Sequence, residues 1–209
     1  GRLILPQPQT IRALLDAGCV PVVTRETELS RTLSLLSEPP ALVVTDSQAF
    51  GIVSKIVPES VRLTSFSILF ARYKGDLRTA VLGAAALRRL KDGDTVLISE
   101  GCTHHRQCGD IGTEKLPRWV KSYTGRDVNF AFTSGGEFPD DLSPYALVIH
   151  CGACMLNERE MQSRLCRAAE QSVPITNYGI AIAQMHGILD RALQPFSALH
   201  AEWSAQQLV

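Results

Sequence analysis

The sequence lacks several features that would each define a class of protein. No apolar run approaches the roughly 18 residues that span a bilayer, and the opening segment is too short for a secretory signal. Neither sign of charge is in excess, because 21 basic side chains balance 21 acidic ones. No G-x-x-x-x-G-K-S/T phosphate loop occurs, so this chain cannot cradle a nucleoside triphosphate by that mechanism. These absences argue against a membrane-spanning, nucleic-acid-binding or disordered chain, and we expect a cytoplasmic protein.

What the sequence does contain is enough apolar material for a folded core. The chain has 209 residues, 45% of them apolar, which suits one large or two small domains. Its six cysteines are even in number. A C-x-x-C motif beside a histidine, in a long chain that alternates helix and strand patterns, favours reduced thiols and a metal over a disulfide framework. Two cysteines outside the motifs, Cys19 and Cys166, are expected to be small core residues.

Helix and strand patterns alternate along the whole chain. In the first ninety residues, amphipathic helical stretches separate short apolar runs that are typical of buried strands. The same rhythm repeats after Gly93-Asp94, where we place the domain boundary. Such alternation predicts an α/β fold of two small units, each a mostly parallel sheet flanked by helices, over residues 1–90 and 91–209. The predicted strands are 20–23, 41–45, 61–64, 95–99, 128–132, 145–149 and 174–176.

Two short segments contain most of the cysteine and histidine residues, the types of side chain that bind iron, zinc and copper. The first is Cys102-Thr103-His104-His105, and the second is His150-Cys151-Gly152-Ala153-Cys154. Thiolates and neutral imidazoles ligate iron-sulfur clusters, zinc or copper, and C-x-x-C lets two thiolates converge on one centre. Each segment follows an apolar run, at 95–98 and 145–149, so both are expected to be loops that leave the ends of buried strands. Open α/β sheets build their sites at that edge.

Three kinds of site fit these ligands. A structural zinc site can use Cys102, Cys151 and Cys154 with His104 or His150 as a Cys3His set, although zinc modules usually place their ligand pairs closer together in sequence. A redox dithiol needs only Cys151 and Cys154, and it leaves Cys102 unexplained. A cluster held by three thiolates leaves one iron with a weaker, exchangeable ligand. The chemistry of the residues favours the cluster first and zinc second.

The arrangement of these residues resembles the FeFe-hydrogenase maturation factor HydF family. The family motif is C-x-H, a long spacer and H-C-x-x-C, which Cys102-Thr103-His104 and His150 to Cys154 match residue for residue. Further stretches that resemble the family are Val44 to Gln48, Leu63 to Asp76 and Pro174 to Gly179. The match covers nearly the whole chain. A C-x-x-C motif alone would be weak evidence, but this set of segments in this order is specific.

The resemblance implies a scaffold or carrier, with no catalytic activity expected from this chain itself. Members bind a 4Fe-4S cluster through three cysteines, here Cys102, Cys151 and Cys154, and take part in assembling a di-iron precursor that is passed to apo FeFe-hydrogenase. The implied partners are that hydrogenase, the radical-SAM maturation enzymes and a second copy of the chain in a homodimer, with no nucleic acid and no membrane. The family also has a GTPase domain, which we expect to lie outside this sequence because the phosphate loop is absent. Residues 1–90 are then the dimerisation domain, and 91–209 the cluster domain.

The sequence leaves the fourth ligand of the cluster open. His104, His150 and Asp110 are candidates for that ligand or for hydrogen bonds to the cluster. A histidine, Asp110 or water ranks ahead of Cys108, whose thiolate would close the cluster to exchange. His105 is expected to be a solvated neighbour of the site, since only one histidine of an adjacent pair normally faces a given centre.

Overall fold

The computed structural model describes residues 6–101, 110–153 and 156–206. Its strands are β1 (Val43–Thr45), β2 (Leu63–Ser65), β3 (Thr95–Glu100), β4 (Asn129–Ser134), β5 (Leu147–His150) and β6 (Ile175–Asn177). Its helices are α1 (Pro6–Asp16), α2 (Leu29–Leu35), α3 (Phe50–Ile56), α4 (Phe66–Lys74), α5 (Leu77–Ala84), α6 (Leu116–Thr124), α7 (Glu158–Glu170), α8 (Tyr178–Met185), α9 (Leu189–Leu193) and α10 (Ser197–Gln206). Short 3-10 turns at Glu26–Glu28 and Ala85–Arg89 and a π-helical turn at Ile111–Lys115 adjoin α2, α5 and α6. None of the described helices is long and apolar enough to cross a membrane.

The smaller sheet pairs β1 with β2 in parallel, with Val43 opposite Leu63 and Thr45 opposite Ser65. Helices α3, α4 and α5 pack around it, and α8, α9 and α10 from the C-terminal part of the chain enter the same core. Buried side chains of this core include Phe50, Leu63, Ile68, Val81, Ile180 and Trp203. The core around the first sheet is therefore built from both ends of the chain.

The larger sheet is parallel throughout, with the strand order β4-β3-β5-β6. Its central strands β3 and β5 are apolar and buried on both faces, as expected for parallel strands covered by helices. On one face, Val96, Ile98 and Ile149 pack with α6 and α8. On the other face, Leu97 and Val148 pack with α7. Both faces are filled by packing, so polar chemistry is confined to the ends of the strands.

The strand order places a topological switch point between β3 and β5. From β3 the chain passes through α6 to β4 on one side of β3, and β4 then leads to β5 on the other side. The segments that follow β3 and β5 therefore leave neighbouring strands at the same carboxyl edge of the sheet. Open α/β sheets bind ligands in the crevice at such a point. Gly101 and Cys151, the first residues after these two strands, lie there.

Two similar strand-to-helix junctions, after β2 and after β6, contact each other. Ser65 caps α4 by accepting from a backbone N–H three residues on at 3.3 Å, and Asn177 caps α8 in the same way at 2.8 Å. The side-chain amide of Asn177 also donates to the Ser67 carbonyl at 3.2 Å. Gly179 permits this close approach, because a Cβ there would lie 2.1 Å from the Ser67 Cβ. The two sheets are therefore in direct contact through these junctions.

The predicted α/β class with two mostly parallel sheets is confirmed, but one predicted strand is wrong. Residues 20–23 form neither strand nor helix, and Val20, Val22 and Val23 are 89%, 55% and 62% exposed. Their β-branched side chains suit a strand. A strand also needs a neighbour for its backbone N–H and C=O groups, and the described part of the chain pairs none with this segment.

Candidate metal centre

The candidate site lies where β3 and β5 end at the switch point. The strands are paired with Ser99 opposite His150, and the backbone N–H of Cys151 donates to the Ser99 carbonyl at 2.8 Å. The backbone N–H of Gly101 points at the Cys151 sulfur, with 3.0 Å between nitrogen and sulfur. The two cysteine-containing segments therefore begin side by side.

Two backbone donors hold the sulfur of Cys151. Besides that of Gly101, the N–H of Ala153 points at it, at 3.4 Å. This second contact depends on a tight turn, because Ala153 adopts a left-handed conformation with φ of 52°, which is uncommon for a residue with a Cβ. Gly101 has no room for a side chain, since a Cβ there would lie 2.8 Å from Cγ of Leu156. Donors aimed at a sulfur stabilise negative charge on it, and the thiolate is the form that ligates metals.

His150 is fully buried and uses both ring nitrogens in hydrogen bonds. Its Nδ1 lies 2.8 Å from the Cys151 carbonyl oxygen, and its Nε2 lies 2.9 Å from Nη1 of Arg164. A carbonyl only accepts and a guanidinium only donates, so the ring proton is assigned to Nδ1, and the Nε2 lone pair accepts from Arg164. In this arrangement neither nitrogen offers a lone pair to a metal. The imidazole instead orients the backbone of Cys151.

Arg164, on α7, is the buried cation behind this histidine. It is 1% exposed, and its guanidinium also donates to the Gly135 carbonyl at 3.1 Å and to the Glu160 carboxylate at 2.8 Å. Its Cζ lies 4.9 Å from the centroid of the Phe138 ring, a cation–π contact. One side chain therefore ties α7, β5 and the segment after β4 together behind Cys151.

The protonation state of His150 follows from this environment. Burial lowers the pKa of His150 from 6.5 to about 4, and the positive charge of Arg164 acts in the same direction. The hydrogen bond to the Cys151 carbonyl and the negative charge of Glu160 oppose this shift of the pKa. The imidazole is therefore neutral near pH 7.

The free energy of unfolding of the metal-free chain is expected to fall as the pH drops from 6.5 toward about 4. In this window the unfolded chain binds a proton at His150 that the folded chain rejects, so acid favours unfolding. The full effect is on the order of 3 kcal/mol. Urea unfolding at several pH values measures it, and His150→Gln is expected to lose this component while His200→Gln retains it. An identical pH dependence in the wild type and His150→Gln would contradict the expectation.

A second polar pair, the half-buried Tyr178 and the buried Glu100, lies on the other side of the site. The Tyr178 hydroxyl donates to the Glu100 carboxylate, at the end of β3, at 3.4 Å. Burial raises the pKa of Tyr178, and the charges of Glu100, Cys151 and Asp110 raise it further, so the phenol stays protonated as a donor. Gly112 packs against both side chains, since a Cβ there would lie 2.4 Å from an oxygen of each.

The predicted ligands are only partly within the described residues. Cys151 and His150 lie as given above, and Asp110 caps the turn at Ile111–Lys115 by accepting from the backbone N–H and hydroxyl of Thr113 at 2.9 and 3.0 Å. Within the described ranges, no group of three His, Cys, Asp or Glu side chains forms a metal site. The other predicted residues lie outside those ranges: Cys102, His104, His105, Cys108 and Cys154.

The prediction that Cys19 and Cys166 are core residues was wrong, because both are exposed. Cys19 follows the end of α1. Cys166 lies on α7, whose buried positions include Met161, Arg164 and Ala168, and its place in the helical repeat puts it on the outer face.

The sequence analysis did not predict the buried residues that contact His150 and the ends of the strands. Arg164 falls on the same buried stripe of α7 as Met161 and Ala168, and an arginine at an apolar helix position was the available signal. The pairing of Arg164 with His150 is not indicated by any local pattern. The pairing of Tyr178 with Glu100 joins residues far apart in sequence and had no local signal either.

The fold and site together define a doubly wound α/β protein with a thiol site at its switch point. Residues 1–75 match the family model described as the hydrogen maturase F dimerization domain, and residues 78–195 match the one described as the hydrogen maturase F tetramerization domain. No curated protein matches the chain. Because the second model alone covers more than half of it, the chain belongs to the hydrogen maturase F (HydF) family, as the sequence resemblance indicated. It therefore has a role in hydrogenase maturation, and its two domains are of kinds that self-associate.

Proposed function

We propose that this chain is a cluster-binding scaffold and carrier in the maturation of FeFe-hydrogenase. It binds a 4Fe-4S cluster through Cys102, Cys151 and Cys154 and delivers a di-iron precursor to apo-hydrogenase. The observation that carries the proposal is the position of the Cys151 sulfur at the switch point, 3.0 Å from the backbone nitrogen of Gly101. A partly exposed sulfur held by backbone donors at a strand end suits a metal ligand better than a core thiol does.

Chain connectivity supports the convergence of the three thiolates. Cys102 is bonded to Gly101 and Cys154 to Ala153, and the N–H groups of Gly101 and Ala153 both point at the Cys151 sulfur. Consecutive Cα atoms are about 3.8 Å apart. Each of the other two cysteines is therefore bonded to a residue that already contacts the first sulfur. The residues that precede them therefore meet at one sulfur, and this arrangement supports the proposed cluster.

Two candidates for the fourth ligand, His150 and Asp110, already make hydrogen bonds within the protein, which supports an exchangeable fourth position. His150 is proposed to orient the Cys151 backbone rather than to ligate, because its two nitrogens are held by the Cys151 carbonyl and Arg164. Asp110 uses one carboxylate oxygen at the start of a helical turn. The open iron is then left to His104, to the other carboxylate oxygen of Asp110 or to water. When bound, such a cluster supplies one iron whose weak ligand a bridging group of the precursor can replace.

Structural zinc is the second candidate, since the same three cysteines with one histidine form a Cys3His set. With His150 engaged on both nitrogens, this set would have to use His104. A zinc protein would be colourless, and it would lose its fold when a chelator removes the metal. Metal analysis separates the two candidates.

The partners follow from the same proposal. We place the scaffold in the cytoplasm with the apo-hydrogenase and the radical-SAM maturation enzymes, and with a GTPase domain encoded outside this sequence. Residues 1–90 serve dimerisation and 91–209 serve cluster binding. The exposed valines at positions 20, 22 and 23 supply apolar surface for contact between copies.

Cys151→Ser is expected to abolish assembly of an intact cluster, because a hydroxyl is a poor substitute for a thiolate ligand to iron. The measurement is the iron and sulfide content of the anaerobically reconstituted chain. Cys166→Ser is the matched control, since Cys166 is exposed on the outer face of α7, and we expect it to retain wild-type iron. Wild-type iron and sulfide in Cys151→Ser would overturn the proposed ligand set.

A further inference from the structure

Arg164 is the one buried cation among the residues that the structure describes, and it lies behind the proposed ligand Cys151. Its Nη1 is 2.9 Å from Nε2 of His150, and Nδ1 of the same ring is 2.8 Å from the Cys151 carbonyl oxygen. A single imidazole ring therefore separates the guanidinium from the backbone of Cys151. A buried positive charge lies close to the end of β5, where the cluster is proposed to bind.

Water screens the charge of Arg164 poorly. The residue is 1% exposed, whereas the side chain of its ion-pair partner Glu160 is 41% exposed. The Glu160 carboxylate accepts from Nε of Arg164, and Nη1 is directed at His150. The ion pair thus has its buried positive end at His150 and its solvated negative end at Glu160. Because solvent weakens the field of an exposed charge far more than that of a buried one, the positive charge prevails at the end of β5.

A buried charge of the opposite sign lies on the other side of the site. Glu100, at the end of β3, is 8% exposed, and its carboxylate accepts from the Tyr178 hydroxyl at 3.4 Å. Glu100 and Arg164 belong to different elements, β3 and α7. A neutral side chain in place of Arg164 therefore removes the positive charge and leaves the negative one. The direction of the resulting change in the electrostatic potential at the site is fixed.

We propose that Arg164 raises the reduction potential of the cluster held at Cys151 and so makes that cluster easier to reduce. Reduction adds one negative charge, which a nearby positive charge in a medium of low dielectric stabilises. The charges and hydrogen bonds around a cluster are among the factors that set its potential. Arg164 is a positioning residue in this role, since it acts through His150 and through its field and is not a ligand. The inference rests on the proposed function, because it concerns the cluster of the same site.

A reductive titration of the anaerobically reconstituted chain with dithionite tests the inference, with the midpoint potential followed by electron paramagnetic resonance. Arg164→Gln is expected to lower the midpoint, because the amide is neutral although its N–H can still donate to Nε2 of His150. Arg164→Lys is expected to keep the midpoint near that of the wild type, because the ammonium keeps a positive charge beside Glu160. Both variants lose the guanidinium fork and are expected to be less stable than the wild type. The midpoint is therefore expected to follow the charge and not the stability.

Arg167→Met is the matched control, since it removes a cation from the same helix. The Arg167 side chain is 30% exposed and pairs with an Asp140 side chain that is 98% exposed, so a much smaller shift of the midpoint is expected. The inference is overturned if Arg164→Gln keeps the wild-type midpoint, or if Arg164→Lys lowers it as far as Arg164→Gln does. An equal fall in Arg167→Met would also overturn it.

Two further measurements keep the outcome decisive. Glu160→Gln removes the exposed partner and leaves the buried guanidinium in place, so it is expected to raise the midpoint slightly; a fall would contradict the proposed sign even if Arg164→Gln did not fold. Iron and sulfide content before each titration reports on cluster binding alone. A wild type that binds no iron overturns the proposed function and this inference with it. A wild type with a full cluster whose midpoint does not respond to the loss of Arg164 overturns the inference alone.

Discussion

Arg164→Met is expected to lower the free energy of unfolding by about 2 to 5 kcal/mol. The buried guanidinium is the donor to Nε2 of His150 and to the Gly135 carbonyl, and a thioether leaves both acceptors unpaired. A buried acceptor without a donor, such as Nε2 of His150, costs about 1 to 3 kcal/mol, and the half-buried Gly135 carbonyl costs less because water can reach it. The ion pair with Glu160 adds little, because that carboxylate is 41% exposed and regains water. Urea unfolding monitored by circular dichroism measures the change.

Arg167→Met is the matched control for this prediction. Arg167 lies on the same helix and over the same Phe138 ring, and it donates to the Phe138 and Pro139 carbonyls at 3.1 and 3.0 Å. Its side chain is 30% exposed, so water can replace much of what is lost, and the expected cost is about 1 kcal/mol or less. Arg164→Lys should fall between the two, because one ammonium cannot reproduce the guanidinium fork. Equal losses in the two methionine variants would contradict the role assigned to Arg164.

Gly83→Ala is expected to destabilise the chain by about 3 kcal/mol or more. Helix α5 packs so closely on β6 that a Cβ at Gly83 would lie 2.0 Å from the Ile175 carbonyl oxygen. This oxygen is a backbone atom, so relief requires α5 or β6 to move. The gain in helix propensity, about 1 kcal/mol, is too small to offset the clash.

Gly51→Ala provides the comparison, because Gly51 also lies in a helix but nothing lies within 4 Å of an added Cβ there. The substitution is expected to be neutral or to stabilise by up to about 1 kcal/mol. Thermal and urea unfolding of both variants give the two values. A Gly83→Ala chain as stable as the wild type would show that α5 and β6 are not in such close contact.

Much of the larger sheet could be predicted from the sequence because its strands are short, continuous apolar runs. Leu147, Val148 and Ile149 are all fully buried, so hydrophobicity alone marks the strand. The segment 20–23 is also apolar, but it has no neighbouring strand in the described chain. Composition alone does not show whether a segment has a strand to pair with. The packing of Trp203 into the core of the first sheet was equally hidden, since it depends on contacts between distant parts of the chain.

The candidate site was predictable only where local sequence determines chemistry. Cys151 was expected at a strand end, and it lies at the end of β5. The engagement of His150 by Arg164 depends on how α7 crosses the sheet, which no spacing rule gives. The Thr176 hydroxyl is buried and has no hydrogen-bond partner among the described residues. Whether a buried group finds such a partner depends on the packing of the whole fold. Tertiary contacts, not motif residues, therefore determine which groups remain available for a ligand.

We propose that three thiolates hold a cluster with one exchangeable iron. The electron paramagnetic resonance (EPR) spectrum of the anaerobically reconstituted and reduced chain, recorded with and without added imidazole, tests this ligand set. We expect the signal of a reduced 4Fe-4S cluster, and we expect imidazole to change it by binding at the open iron. A colourless chain that contains zinc and gives no such signal would contradict the account, and so would a cluster signal that imidazole leaves unchanged.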